Sequence, residues 1–143
     1  MNKWIKIGTV LIIVGITGAV LGYKFIYNKP HPDFEKIEPS FMVEAHDLFS
    51  EFINSRSESE QKYNGTVVQI SGMIDGIEES DSLVIAVFAF QDGMFGDEGI
   101  RCTMLPKFNH HESLKPGVNV QIKGFVAGYN ETDVILEKCS LIK

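Results

Sequence analysis

Cysteine, tryptophan and basic residues are all scarce in this chain. Two cysteines in 143 residues exclude a disulfide-dense scaffold, and they form no Cys-x-x-Cys pair of the kind a thiol redox centre uses. Lysine and arginine number 13 against 19 aspartates and glutamates. That balance argues against a polyanionic partner, because phosphate binding draws on cationic side chains that release counterions. No Gly-x-Ser-x-Gly, Walker loop or dinucleotide fingerprint occurs, so the usual supports of nucleophilic hydrolysis and nucleotide chemistry are missing. Internal repeats and low-complexity tracts are absent as well. The length allows one domain of ordinary size with an appendage and excludes a multidomain enzyme.

What is present is unevenly distributed. Residues 1–27 contain Lys3, Lys6 and Lys24 and no acid, a net of +3, whereas residues 28–143 contain the other 10 basic residues and all 19 acids, a net of −9. From Ile7 to Tyr23 no side chain is charged. With Trp4, Ile5 and Phe25–Tyr27 the apolar stretch reaches about 20 residues, enough to span a bilayer at ~1.5 Å per residue. Trp4, Tyr23 and Tyr27 fall at its ends, where amphipathic rings prefer the headgroup zone. The apolar core exceeds the roughly 7–15 residues of a secretory signal, and Gly18–Gly22 offers no good small-x-small cleavage pair. Residues 1–27 therefore read as an uncleaved anchor with the lipid bilayer as partner. Lys3 and Lys6 are balanced by Lys24 and Lys29, so orientation rests on topology: a short tail before a large domain reads as a signal-anchor with the domain exported.

Residues 28–40 hold Pro30, Pro32 and Pro39 among charged residues and read as a stiff linker. Ser40 is a candidate helix N-cap. Phe41, Ala45, Leu48, Phe49 and Phe52 recur at i, i+4, i+7, i+8 and i+11, one stripe of an amphipathic helix reaching about Ser57. The polar run Ser55–Gln61 dissolves it. The period then changes to two, and Thr66–Ile77, Leu83–Phe90, Ile100–Leu105, Val118–Val126 and Val134–Ile142 read as five strands. Turn signals separate them at Asp75-Gly76 through Ser82, Asp92–Gly99, Pro116-Gly117 and Gly128–Glu131, and Lys107–Leu114 reads as a short helical connection. One helix followed by five strands, with the widest connection between the third and fourth, is the plan of an OB-fold (oligonucleotide/oligosaccharide-binding) Greek-key barrel. Gly72 and Gly124 sit at its sharp bends. The expected fold is mainly β: a five-stranded OB-fold barrel over 41–143, preceded by one amphipathic helix, behind an N-terminal transmembrane helix. The alternative is an open sheet packed on the helix.

Several stretches carry a family resemblance. They are Tyr63-Asn64-Gly65-Thr66-Val67-Val68 leading to Ser71-Gly72, Ile100-Arg101-Cys102, Leu114-Lys115-Pro116-Gly117-Val118-Asn119-Val120 leading to Gly124, and Asp133-Val134-Ile135-Leu136 followed by Cys139. Over about Phe41–Lys143 the chain resembles the bacterial envelope OB-fold proteins called tRNA_anti-like. The resemblance implies a membrane-anchored or lipoprotein setting, here a single-pass protein of the bacterial inner membrane with a periplasmic or otherwise extracytoplasmic domain. Its name implies nucleic-acid binding by fold analogy only, and a fold does not dictate function. Members often carry a third cysteine in a Gly-x-Cys-x-Gly stretch. Here that stretch is Gly124-Phe125-Val126-Ala127-Gly128, so any role of that thiol is absent.

Cys102 and Cys139 fall on the third and fifth expected strands, which are neighbours in such a barrel. They are a candidate disulfide, and the alternative is two separate buried thiols. His110-His111-Glu112 lacks the i, i+3 or i, i+4 pair and third ligand of a usual zinc site, so it reads as solvated loop. Glu78, Glu79, Asp81, Asp92, Asp97 and Glu98 read as solubilising charge. Met94 and Phe95, between acids, are hard to bury and read as a contact point for a partner or a lipid surface. Phe125 and Tyr129 join them as candidate contacts. Only Arg101, Lys107 and Lys123 stand near the available rings, too few cations for a nucleic-acid groove. No metal, cofactor or catalytic constellation is expected. The expected function is a membrane-tethered, non-catalytic binding module of the bacterial envelope, with a protein or glycan as partner and nucleic acid disfavoured by the acidic domain. The alternative is a cytosol-facing domain that binds single-stranded nucleic acid.

Overall fold

The computed structural model describes residues 2–27 and 33–142, so the first part of the expected linker, residues 28–32, lies outside the described residues. The chain divides into two units, residues 1–32 and 33–143. In the first, helix α1 runs Lys3–Ile26 and buries none of its residues. It is long and apolar enough to cross a membrane, at about 36 Å for 24 residues. Its two hydroxyls are satisfied within the helix: Thr9 Oγ1 and Thr17 Oγ1 donate to the carbonyls of Ile5 and Ile13 at 2.9 and 2.8 Å. A helix in hydrocarbon needs such internal pairing.

The second unit contains β1 (Phe41–Glu44), α2 (Ala45–Asn54), α3 (Arg56–Tyr63), β2 (Val67–Met73), β3 (Gly76–Ser80), β4 (Leu83–Gly93), β5 (Gly96–Met104), a 3-10 turn (Pro106–Phe108), β6 (Asn119–Tyr129) and β7 (Val134–Ile142). The strands form one sheet in the order β1-β2-β6-β7-β5-β4-β3. β1 runs parallel to β2 and β5 parallel to β7, and the other neighbours are antiparallel. The sheet is OB-like but has seven strands, where five were expected, and its ladder does not close.

The extra strands have separate causes. The expected first strand, Thr66–Ile77, changes partner midway. Ile74 N–H donates to Val118 O beside β6 at 3.0 Å, whereas Asp75 N–H donates to Val87 O on β4 at 2.9 Å. One sequence run therefore becomes β2 and β3. The hydrogen bond from Ala89 N–H to Asp75 Oδ2, at 2.8 Å, holds the switch. β1 was expected to be the first turn of the helix, because Phe41 and Ala45 also fit a helical stripe. Here Ser40 caps nothing: its N–H donates to Val67 O at 2.8 Å, and residues 41–44 alternate half-buried and exposed as an edge strand. The helix starts at Ala45.

The stripe itself lies where expected. Ala45, Leu48, Phe49 and Phe52 are buried against the inner side chains of the sheet, among them Ile70, Phe88, Ile100 and Leu136. Gly72 lets α2 approach, since a Cβ there would stand 3.1 Å from the Ala45 Cβ and 3.3 Å from the Phe88 ring. Ser55–Gln61 was expected to be irregular, but from Arg56 on it belongs to α3. This helix is polar, and it is held by the Arg56–Glu60 pair at 2.9 Å, the Lys62–Glu51 pair at 3.0 Å and the buried Tyr63, which offset a weak intrinsic tendency. The expected linker contracts too. Phe34 packs on Phe125 with ring centroids 5.2 Å apart, Glu35 pairs with Lys107, and the Glu35 carbonyl accepts from Lys123 Nζ. Of Lys107–Leu114, only the 3-10 turn at its start is helical.

Candidate functional site

Three surfaces of the second unit stand out as places where a ligand can meet it. On the outer face of β3, β4, β5 and β7 the register aligns Glu78, Ile85 and Thr103 in one row and Gly76, Val87, Arg101 and Ile135 in the next. These two rows hold no ring and one cation, and beyond them on β7 the exposed Lys138 sets its Nζ over the Phe34 ring at 4.8 Å. Arg101 is clasped from both sides: Nη1 meets Glu78 Oε1 at 2.5 Å and Nε meets Asp133 Oδ2 at 3.0 Å. Glu78, and after it Asp133, push the guanidinium pKa further up against the opposing effect of burial. Asp133 is itself buried and also accepts the Gly99 N–H at 3.0 Å. Its own N–H donates to Asn130 Oδ1 at 2.7 Å, in an Asx-type turn joining β6 to β7. The cation is consumed by structure. An OB face that grips single strands uses free cations and stacking rings, and these two rows supply neither among the described residues.

The second surface is the β4–β5 hairpin. Asp92–Gly99 was expected to be loop, but the ladder continues through Gln91↔Glu98, Asp92↔Asp97 and Gly93↔Gly96. Only Met94 and Phe95 form the turn, and they are 93% and 91% exposed. Gly96 takes φ +122°, which an L side chain rarely adopts. Asp92 and Asp97 oppose each other directly, an arrangement that costs a few tenths to about 1 kcal/mol.

The other candidate contacts lie elsewhere and are partly used. Phe125 is half-buried under Phe34. Tyr129 packs on Phe52 at 5.7 Å and carries the Arg56 guanidinium over its ring at 5.4 Å. Phe88 is in the core, and Phe90 packs against His46 and Phe49. Cys102 and Cys139 are free thiols, fully buried on the neighbouring strands β5 and β7. Burial, and then the neighbouring Cys102, push the Cys139 thiol well above its ordinary range. Its sulfur also lies over Gly124, where a Cβ would come within 2.6 Å of it. Among the described residues no group of three or more His, Cys, Asp or Glu could hold a metal ion.

The third surface is a concavity of about 510 Å³ where β2 ends, β6 begins and β7 ends, under the connection that follows β5. Sequence reasoning missed it. Its side chains come from four separate segments and form no motif, so no linear signal could have found it.

Comparison with known proteins agrees with this architecture. A lipoprotein from Klebsiella pneumoniae subsp. pneumoniae, described as a candidate nucleic-acid binder, is 18% identical over 80% of this chain and 100% of its own, with a TM-score of 0.52. Yeast Stn1 and Ten1 give 12% identity, 80% and 68% coverage and a TM-score of 0.43. Asparaginyl-tRNA synthetase from Entamoeba histolytica with asparaginyl-adenylate gives 14% identity, 55% and 21% coverage and a TM-score of 0.37. At these identities the first likeness concerns the fold alone, and the other two are weaker still. No curated protein matches the chain. The family model called tRNA_anti-like matches residues 1–141, beyond the stretch on which the sequence resemblance rested. With that match and an OB-like sheet behind it, the chain belongs to the tRNA_anti-like family.

Proposed function

We propose that this protein is a membrane-tethered, non-catalytic binding module of the bacterial envelope, with a protein or glycan as ligand. The observation that carries the reading is the clasp of Arg101 between Glu78 and Asp133. It removes the one cation of the two rows on β3, β4, β5 and β7 of an already acidic domain, rows that hold no ring for stacking. The length and apolar composition of α1, none of whose residues is buried, support the tether, and the exposed Met94-Phe95 turn supports a contact made by the hairpin. The domain faces the extracytoplasmic side. In that compartment Cys102 and Cys139 would close to a disulfide, which a thiol count on denatured, unreduced protein reads.

The test is affinity capture with the intact chain in mild detergent, alongside titration of a fluorescent single-stranded oligonucleotide at low salt. A reproducible envelope protein or glycan with a flat titration is expected. Saturable, salt-sensitive oligonucleotide binding would overturn the reading. It would favour a nucleic-acid role, for which the fold and the description of the Klebsiella pneumoniae lipoprotein are the support.

A further inference from the structure

We infer that the concavity at the β2, β6 and β7 ends is a binding site for a neutral saccharide. This rests on the binding-module reading above and names a site and ligand class for it. The lining is mixed, more apolar than polar, and none of its side chains is a carboxylate, lysine or arginine. Ser71, His111, Ser113, Asn119 and Gln121 present hydroxyl, imidazole and amide groups. Phe108, Val120, Leu141 and Ile142 supply its apolar surface. The volume, about 510 Å³, falls in the ~300–1,000 Å³ range of small-molecule sites.

The polar groups are largely uncommitted. Among the described residues, Ser71 Oγ, Ser113 Oγ and the Asn119 amide take no protein hydrogen bond. Gln121 engages only through Oε1, which accepts from Gln69 Nε2 at a long 3.4 Å. His111 Nδ1 accepts the Ser113 N–H at 3.2 Å, which leaves Nε2 as the ring's donor. Hydroxyls and carboxamides both donate and accept, as sugar hydroxyls do, and the C–H face of a sugar ring suits an apolar wall. A phosphate or carboxylate would find no cation in this lining. A cationic ligand would find no carboxylate. Lys107 lies 5.2 Å over the Phe108 ring and is paired with Glu35. The site is also distinct from the outer face of β3–β5, so it does not compete with the Arg101 clasp.

The experiment uses the full chain in nanodiscs with labelled Ile and Leu methyls, titrated with chitotriose and maltotriose. Inorganic phosphate and a trigalacturonate are the charged comparators. Saturable shifts at Leu141 and Ile142 are expected for at least one neutral sugar, with comparators at least about tenfold weaker. Asn119→Ala with Gln121→Ala changes two exposed side chains, leaves the fold intact, and should weaken binding about tenfold. Absence of saturable shifts with both neutral sugars overturns the site, as does equal binding of the charged comparators. Sugar binding that the double variant leaves unchanged also overturns the site but leaves the module reading standing, and the affinity capture above decides that reading independently.

Discussion

Removing the Asp133 carboxylate should loosen the whole β5–β7 seam. Asp133→Ala takes the acceptor from the buried Gly99 N–H and one of two carboxylates from Arg101. An unpaired buried amide costs about 1–3 kcal/mol, and a hydrogen bond to a charged group is worth about 1.5–3 kcal/mol. The second figure must be discounted, because the Arg101 side chain is 25% exposed and keeps Glu78. The expected loss is ~2–4 kcal/mol. Asp133→Asn keeps an oxygen for Gly99 but turns an amide donor toward the guanidinium, for a smaller loss of about 1–2 kcal/mol. The assay is urea unfolding of the full chain in micelles, followed by far-ultraviolet circular dichroism in the β region. Hydrogen exchange of the Gly99 amide reports on the local bond. Equal losses for the two variants, or losses below about 0.5 kcal/mol for both, would refute the reasoning and reduce the clasp to a surface ion pair.

Four further outcomes follow from the packing and the charges. Burial tends to raise the Glu51 carboxyl, but hydrogen bonds from Lys62 and Tyr63 outweigh it and hold the pKa below its ordinary 4.5. Its contribution is thus complete above the ordinary carboxylate range and is lost as pH falls through the lowered value. Acid unfolding of Glu51→Gln, compared with the parent, should lack that component. Gly124→Ala drives a methyl into the Cys139 sulfur and should destabilise by ~1–3 kcal/mol in the same urea assay. In the reduced, folded protein iodoacetamide should leave the Cys102 and Cys139 thiols unmodified, read by intact mass, because both are fully buried and burial favours the Cys139 thiol over the thiolate. Replacing Met94 and Phe95 with Ser should leave the melting temperature within about 2 °C, yet weaken capture of any partner that docks on the hairpin.

How far each feature could be read in advance depended on whether its cause was local. Val134–Ile142 is a strand over the expected residues because its hydrophobic pattern and flanking turn both lie in the segment itself. The α2 stripe was legible for the same reason. β3 was not: Glu78, Glu79 and Ser80 look like loop residues. Their strand depends on β4 alongside them, on the left-handed Asp81-Ser82 turn and on Arg101 reaching Glu78 from a distant strand. α3 lacks an apolar stripe, and its support, Glu51 on the preceding helix, is a tertiary contact. Met94 and Phe95 stood out in sequence because nothing nearby could cover them. Phe125 could not be judged that way, since its cover, Phe34, comes from a segment that reads as linker.

The strand order carries a consequence for how the protein is made. β6 and β7 come late in the chain yet occupy the middle of the sheet, between β2 and β5. Until both arrive, β2 and β5 expose bare edges, and no sub-sheet with a complete core can form. Pairings of such long sequence separation close slowly, and bare edges invite foreign strands. On the proposed extracytoplasmic placement, a chain passed across the membrane behind α1 would emerge without a prematurely folded domain to obstruct the passage. In return, it would be vulnerable to mispairing until the final hairpin slots into place.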